Sequence, residues 1–279
     1  MNDMSLKAKI RNIAREKQIP AQLVLQHYLN ERFLIRLSMT RYREKFVVKG
    51  GTLIASIVGL SNRSTMDLDT TLRNLPLTPE TIESAIAEIC AVDAGDGISF
   101  QFKYMEPIRD DDMYGGYRVM IQADYGKIAA PMSMDISTGD IMTPDAIRRE
   151  FSSMFDDEKF GLWSYNVETI LAEKVETILR RNVFSTRPRD YYDLYVLYKT
   201  ESFDRDVFCE ALTATARHRD SLEYIGNNRE KILSLISESV DLRKLWDKYC
   251  RQFSYAKGIE YADVIHVLKE LLSDYDATE

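Results

Sequence analysis

The stretch from Phe46 to Leu72, FVVKGGTLIASIVGLSNRSTMDLDTTL, decides how this chain folds. It begins with an apolar run at residues 46–48, which predicts a short buried strand. Gly50 and Gly51 interrupt that strand. Because glycine lacks a Cβ, the backbone can turn sharply there and let a ligand approach closely. Residues 53–60 then predict a short helix whose N-terminal amides face the turn, and such a helix end favours an anion because several N–H groups lack partners.

Two carboxylates follow the predicted helix. Asp67 and Asp69 are two residues apart in a segment that we expect to be extended, so both side chains point to one face while Met66 and Leu68 point to the other. Ionised carboxylates that lie side by side repel each other unless a cation sits between them. Taken singly, a Gly-Gly turn is usually only a turn, and paired acids are usually a solvated strand face. In this order they match what metal-assisted phosphoryl chemistry requires.

A third carboxylate lies in another predicted strand, residues 132–137. Met134 and Ile136 point to one face of that strand, and Asp135 points to the other face between two serines. The pattern alone does not distinguish a functional acid from an ordinary polar strand residue.

The second half of the chain places charges on an inward-facing helix surface. Residues 166–181 predict a helix with one apolar stripe, and Lys174 lies inside that stripe, seven residues before Arg181. Lysine and arginine are almost never fully buried without partners. The next helix begins near Pro188, so we expect Asp190 or Asp193 to supply the opposite charge to Lys174. A lysine that extends past the apolar layer into water is the alternative.

With these motifs together, the chain resembles the AbiEii/AbiGii toxin family, a branch of the nucleotidyltransferase superfamily with a polymerase-β-like core. The resemblance covers roughly residues 8–200. The segments that carry it are Gly50-Gly51-Thr52, Asp67-Leu68-Asp69 with Arg63 ahead of it, the strand acid Asp135, the helix lysine Lys174, and Arg189-Asp190-Tyr191-Tyr192-Asp193.

The resemblance implies the following roles. One or two Mg²⁺ ions are expected as cofactors, with Asp67, Asp69 and Asp135 as metal ligands. The residues expected to be catalytic are Asp67, Asp69, Lys174 and Asp193. The residues expected to bind nucleotide are Lys49, Gly50, Gly51, Thr52, Arg181, Arg189 and Asp190.

The implied function is transfer of a nucleotidyl group from a nucleoside triphosphate to an acceptor, with tRNA as the expected acceptor. The implied context is a bacterial toxin that acts in phage defence, with an antitoxin encoded nearby. Two alternatives remain open at this point. One is a nucleotide- or RNA-binding protein on the same fold without catalysis, and the other is a transferase that modifies a protein or a small molecule.

For the fold we predict an α/β architecture of the α+β type. A polymerase-β-like nucleotidyltransferase core at about residues 46–140 is preceded by N-terminal helices and followed by a helical bundle. We expect one domain over residues 1–150 and a helical domain over residues 151–279 that completes the active-site cleft. The last third predicts helices at about residues 204–218, 224–238, 240–252 and 260–274.

Two charged segments have more than one interpretation. A basic cluster of Arg36, Arg41, Arg43 and Lys45 closes a predicted helix at about residues 21–44, and it is either a solvated helix end or a patch for RNA phosphates. An acidic run at residues 110–112 joins two predicted strands, 98–104 and 117–123, and such runs usually face solvent although they can bind metal.

The composition sets outer limits on function. The chain has 279 residues, of which 45% are hydrophobic and 29% charged, and these values are typical of a globular protein. A formal net charge of −7 means that any RNA contact requires a local basic surface. The three cysteines are scattered, which disfavours a disulfide framework. The sequence contains neither a long apolar segment nor a signal-type N-terminus, so we expect a cytoplasmic protein without a membrane partner.

Overall fold

The computed structural model describes residues 3–108 and 115–275, and it divides into two compact units. The first unit contains Met1–Asp140 and Ala146–Tyr165, and the second contains Ile141–Asp145 and Asn166–Glu279. The acidic run at residues 110–112 lies outside the described residues. The predicted boundary after residue 150 falls within a strand, Ile147–Ser152, that pairs with another strand of the first unit. The division therefore differs from the predicted one because a β-hairpin extends the first unit beyond it.

Within the described residues, the first unit is built on a seven-stranded mixed sheet. The spatial order of its strands is β3-β4-β5-β2-β1-β7-β6. The strands are β1 (Phe46–Lys49), β2 (Leu68–Leu72), β3 (Ser99–Ile108), β4 (Gly116–Tyr125), β5 (Ile128–Thr138), β6 (Ile147–Ser152) and β7 (Lys159–Ser164).

Strand pairing places the predicted site residues in register. β1 pairs antiparallel with β2 and parallel with β7, and β2 pairs parallel with β5. Asp69 on β2 lies opposite Lys49 on β1 and opposite Asp135 on β5. Because directly paired residues point to the same face of a sheet, these three side chains share one face.

Among the described residues, the α-helices of the first unit are α1 (Asp3–Glu16), α2 (Ala21–Ser38), α3 (Gly50–Val58) and α4 (Pro79–Cys90). Helices α2, α3 and α4 contact strands of the sheet, and α1 packs against α2. The sheet face opposite Asp69 is apolar, and Val48, Leu68 and Met134 on it are fully buried. Helix α3 begins at Gly50, three residues before its predicted start. It ends at Val58 and is followed by Gly59, whose φ of 87° suits glycine after a helix.

The second unit is helical among the described residues, which confirms the prediction for the last third of the chain. Helix α5 contacts α6, α7 and α8, and α6 contacts α9 and α10. Asn166 caps α5, because its Oδ1 accepts the backbone N–H of Thr169 at 2.7 Å. The helices are α5 (Val167–Arg181), α6 (Pro188–Thr200), α7 (Arg205–His218), α8 (Leu222–Glu238), α9 (Val240–Gln252) and α10 (Tyr261–Leu271).

The structure corrects the interpretation of the basic cluster. Arg36 is fully buried, and its guanidinium bonds both carboxylate oxygens of Asp96, at 3.0 and 2.6 Å. Arg36 is therefore a structural residue, because a buried guanidinium requires such a partner. The exposed part of the cluster begins at Arg41, whose side chain is 71% exposed.

A helix that crosses a membrane must be both long and apolar. Among the residues that the structure describes, no helix is both long enough and apolar enough to cross a bilayer.

Candidate active site

The Gly-Gly turn and the acid-bearing strand form one packed unit. Gly50 has a φ of 64°, and a Cβ placed on it would lie 2.0 Å from Oδ2 of Asp69. The backbone N–H of Gly51 donates to the same Oδ2 at 3.2 Å. Glycine is therefore required at position 50 both by the left-handed backbone and by the close approach of a carboxylate.

Thr52 connects the turn to the other strand acid. Its hydroxyl donates to the backbone carbonyl of Asp67 at 2.9 Å, and the residue is only 3% exposed. From sequence we expected this hydroxyl to contact phosphate. In the structure it holds the segment that carries Asp67.

Two of the predicted metal ligands, Asp69 and Asp135, lie on one face of the sheet, and the third, Asp67, directly precedes β2. Each of the three has its own polar partner. Asp67 Oδ1 accepts the hydroxyl of Ser133 at 2.7 Å. Asp69 is bonded by Gly51, as described above. Asp135 is held by the guanidinium of Arg118 through two bonds, Nε–Oδ1 at 2.8 Å and Nη2–Oδ2 at 2.7 Å. Arg118 thus supplies the positive charge beside Asp135.

The pKa of Asp69 is raised, chiefly by burial and further by neighbouring like charges. Burial raises the pKa of Asp69, the nearby Lys49 opposes that effect, and the carboxylates of Asp135 and Asp67 raise the pKa further. A divalent cation at this face would relieve the repulsion between the carboxylates.

Mg²⁺ fits part of this donor set. No group of three or more acidic, histidine or cysteine side chains in the described ranges is arranged to hold a metal ion. Mg²⁺ is, however, commonly bound by only one or two carboxylates together with substrate phosphates. Asp67 and Asp69 provide such hard oxygen ligands, whereas Asp135 would first have to exchange its contact with Arg118.

Lys49 has an acidic partner that the sequence did not predict. Its Nζ lies 2.5 Å from Oδ2 of Asp140, and that oxygen also accepts the hydroxyls of Ser137 at 2.8 Å and Tyr165 at 2.9 Å. Although burial opposes ionisation, the charge of Lys49 and these hydrogen bonds lower the pKa of Asp140 to about 2. The ammonium beside Asp69 is therefore fixed in place by a second carboxylate.

The second unit contains a buried cluster around Lys174. Its Nζ lies 2.6 Å from Asp190 Oδ1 and 2.9 Å from Asp193 Oδ2, and both acids are essentially inaccessible to solvent. Burial alone would lower the pKa of Lys174, but the two carboxylates outweigh it and the pKa is raised. The predicted pairing between α5 and α6 is confirmed. Arg187 Nε also contacts Asp190, at 2.8 Å.

The two remaining candidates, Arg181 and Arg189, lie at the ends of the loop between α5 and α6. Arg181 ends α5 and is half-buried, and Arg189 is exposed in the first turn of α6. Lys174 does not share its carboxylate partners with Arg181, although the sequence placed both on one helix face.

Sequence reasoning missed Arg118, Ser133 and Asp140. The alternation of polar and apolar residues in β4 places Arg118 on the polar face of the strand. Only the strand register shows that Arg118 lies opposite Asp135. Asp140 follows the end of β5 in a loop, where no periodic pattern marks it.

Comparison with known families decides the assignment. The model of the family described as nucleotidyl transferase AbiEii toxin, type IV toxin–antitoxin system, matches residues 32–266. The chain belongs to the AbiEii family. This membership confirms the resemblance drawn from the motifs. It identifies the chain as a nucleotidyltransferase-type toxin at the level of the family.

Three solved structures are similar to this AbiEii-family chain. A candidate nucleotidyltransferase from H. pylori has a TM-score of 0.52 and 18% identity, covering 91% of this chain and 96% of its own. JHP933 from Helicobacter pylori has a TM-score of 0.47 and 17% identity, covering 89% and 92%. An antigenic nucleotidyltransferase-like protein from Paracoccidioides brasiliensis has a TM-score of 0.41 and 13% identity, covering 71% and 91%. The first of these confirms the predicted nucleotidyltransferase-like α/β fold.

Among curated proteins, no relative matches this AbiEii-family chain.

Proposed function

We propose that the chain transfers a nucleotidyl group from a nucleoside triphosphate to an RNA acceptor, with tRNA as the first candidate, and that it requires Mg²⁺. The observation that carries this proposal is the unit formed by the turn and the strand. Gly51 bonds Asp69, Gly50 can only be glycine, and Asp69 lies in register with both Lys49 and Asp135. Membership of a nucleotidyltransferase toxin family supports the same chemistry.

In this proposal the strand acids bind the metal. Asp67 and Asp69 hold one Mg²⁺ directly, and Asp135 joins them if Arg118 yields to the ion. When bound, the ion neutralises charge on the triphosphate and orients it. Lys49, fixed by Asp140, adds a positive charge next to Asp69, and the Gly50-Gly51-Thr52 turn lets the backbone approach the phosphates.

The proposal assigns roles to the charged residues of α5 and α6 as well. Lys174 stabilises the negative charge that develops on the leaving phosphates. Asp190 and Asp193 position this lysine, and Asp193 can also serve as a base. Arg181 and Arg189 bind phosphate groups, either of the triphosphate or of the RNA acceptor.

A labelling experiment tests the reaction. The full chain is incubated with radiolabelled nucleoside triphosphates, Mg²⁺ and total tRNA, and the label is followed into RNA, protein and small molecules. The Asp69→Asn variant is the negative control. Asp241→Asn, whose side chain is 90% exposed on α9, is the matched control that retains activity.

Each outcome has a separate meaning. Label in the tRNA supports the proposal, and omission of Mg²⁺ should abolish it. Label that enters only protein or a small molecule excludes RNA as the acceptor but supports nucleotidyl transfer to another acceptor. Binding of triphosphate without any transfer favours a non-catalytic binding protein on the same fold.

The family description also supports a proposal about partners and context. A type IV toxin implies an antitoxin encoded nearby, and we propose that both act in the cytoplasm, in phage defence. A neighbouring gene for a small winged-helix regulator would support this context, whereas a resistance cassette would favour an antibiotic as acceptor.

A further inference from the structure

The loop between α5 and α6 combines an exposed aromatic ring with a concentration of positive charge. Residues 180–189, RRNVFSTRPR, comprise this loop and the adjoining helix ends, and they contain four arginines and no acid in a chain whose formal net charge is −7. In the middle of this loop, Phe184 is 86% exposed, more than any other large apolar side chain among the described residues. A single exposed apolar side chain is common on protein surfaces, but an exposed ring in an arginine-rich segment is the combination that binds unpaired nucleic-acid strands.

Hydrogen bonds hold the turn that carries Phe184. The side chain of Asn182 accepts the backbone N–H of Val183 at 2.8 Å, and its carbonyl accepts the N–H of Ser185 at 3.2 Å. The hydroxyl of Ser185, which is buried, accepts the N–H of Arg187 at 3.3 Å. These bonds fix the loop from both sides of Phe184, so little conformational entropy is lost when a ligand binds.

Two of the four arginines are already neutralised. Arg180 pairs with Glu176 at 2.9 Å, and Arg187 pairs with Asp190 at 2.8 Å. In the part of the chain that the structure describes, Arg181 and Arg189 contact no carboxylate, and the Nε of Arg181 is buried without a hydrogen-bond partner. These two guanidinium groups are therefore available to bind an anion.

We infer that this loop binds a single-stranded polynucleotide, with a base stacked on Phe184 and phosphates held by Arg181 and Arg189. Aromatic stacking beside cations is how proteins bind unpaired strands, because the faces of bases are hidden in a duplex. The two free arginines lie on either side of Phe184 along the loop. A polynucleotide carries phosphates on both sides of a stacked base, whereas a mononucleotide carries them on one side. The inference rests on the proposed function only where it names this strand as the RNA acceptor.

A protein partner is the competing occupant, because aromatic residues and arginine are also enriched at protein interfaces. One exposed ring, with an arginine on either side of it along the chain that contacts no carboxylate of the described residues, favours a strand that carries a phosphate on each side of a base. A nucleoside triphosphate offers the same two chemical groups, so the experiment includes it as a separate ligand.

Binding by the full chain is measured with a fluorescein-labelled single-stranded RNA of about 12 nucleotides, within the usual site size for such surfaces. Phe184→Ala should weaken binding roughly tenfold or more, the loss expected for one stacked base, and Phe184→Trp should retain it. Arg189→Ala should also weaken binding and reduce the slope of affinity against salt concentration by about 0.7. A duplex of the same sequence should bind equally well to the wild type and to Phe184→Ala.

Matched controls use comparable residues elsewhere in the second unit. Tyr224→Ala removes an aromatic side chain that is 41% exposed on α8, and Arg251→Ala removes an exposed cation in the last turn of α9. Both variants should bind RNA like the wild type. Melting curves should be unchanged for Phe184→Ala, because its ring makes little contact with the rest of the protein.

Three outcomes would overturn the inference. If Phe184→Ala binds RNA as tightly as the wild type, the ring does not contact RNA, and a protein partner becomes the better candidate for this surface. A loss of triphosphate binding with RNA binding intact would place the loop in the nucleotide site. Equal losses for single strand and duplex would exclude stacking. If RNA binding depends on Phe184 and no transfer is detected, the proposed reaction fails and the inference stands.

Discussion

At the scale of single residues, Asp140 links folding to pH. Its pKa is about 2, below the ordinary 3.8, because Lys49 and two hydroxyls stabilise the ionised form. A lowered pKa means that ionised Asp140 stabilises the folded state, by about 2 kcal/mol for a shift of this size. The contribution is complete above about pH 5 and disappears as the pH falls toward 2.

Asp140→Asn should therefore lower the free energy of unfolding by about 2 kcal/mol near pH 7. The difference from the wild type should shrink as the pH approaches 2, and urea unfolding at several pH values measures it. Asp241→Asn, in an exposed position on α9, should change neither curve. An Asp140→Asn variant as stable as the wild type at neutral pH would show that the contact with Lys49 contributes nothing.

Arg118 provides a test of the proposal that Asp135 is a third metal ligand. It holds Asp135 through two bonds, so a metal ion that uses Asp135 must compete with the guanidinium. Arg118→Gln should lower the Mg²⁺ concentration needed for half-maximal transfer, and Asp135→Asn should raise it. Lys103→Gln removes an exposed cation on neighbouring β3 and controls for the change in charge. If Mg²⁺ dependence is the same in both Arg118→Gln and the wild type, Asp135 serves only to hold Arg118.

At the scale of elements, the two ends of α3 offer a matched pair of glycines. Gly50 and Gly59 both have positive φ, but a Cβ on Gly50 meets Asp69 whereas a Cβ on Gly59 meets nothing within 4 Å. Gly59→Ala should cost about 1 kcal/mol of stability and leave activity per folded molecule intact. Gly50→Ala should also displace Asp69 and abolish transfer. If Gly50→Ala and Gly59→Ala are equally active, the turn at Gly50 is not part of the active site.

Because Lys174 on α5 pairs with two acids on α6, a test of its role must also change those two acids. Both of its carboxylate partners are buried, so Lys174→Met leaves uncompensated charge and should cost about 3–5 kcal/mol. The triple variant Lys174→Met, Asp190→Asn, Asp193→Asn removes that charge and should recover much of the stability without recovering transfer. Thermal melting and the labelling assay measure the two effects. Normal transfer by the triple variant would make the cluster purely structural.

How far the sequence predicts these elements depends on their periodicity. Helices such as α5 and α7 have a clear apolar stripe, and the structure gives them close to the predicted bounds. Strand β6, IRREFS, was not predicted because it is an edge strand with three charged residues and a mostly exposed surface. Its partner β7 was missed with it.

The residues of the candidate site also differ in how far the sequence predicts them. Residues in local motifs, such as Gly50 and Asp69, could be predicted because chain neighbours fix their geometry. Arg118 and Asp140 could not, since their roles arise from strand register and from a loop that returns to Lys49. Local patterns thus predict which residues are candidates for the chemistry, and long-range pairing determines which residues hold those candidates in place.

At the scale of the whole molecule, family membership predicts a phenotype. Expression of the wild-type chain should arrest bacterial growth, because the family consists of toxins. Asp69→Asn should relieve the arrest while its melting temperature is unchanged or slightly raised, since repulsion among the strand acids is reduced. Growth curves and thermal melting of the purified variant measure both. An Asp69→Asn variant that unfolds yet remains toxic per folded molecule would make Asp69 a structural residue.

The parallel pairing of β1 with β7 has a consequence for synthesis on the ribosome. Val47 finds its partner Trp163 only after most of the first unit has been made. At roughly 5–20 residues per second, the nascent chain exposes one side of β1 for several seconds or more. An unpaired central strand of this kind readily associates with other chains. A nascent chain that stalls before β7 emerges should therefore be a preferred client of ribosome-associated chaperones. The Gly50-Gly51-Thr52 turn that follows β1 should become rigid only when translation has passed Ser164.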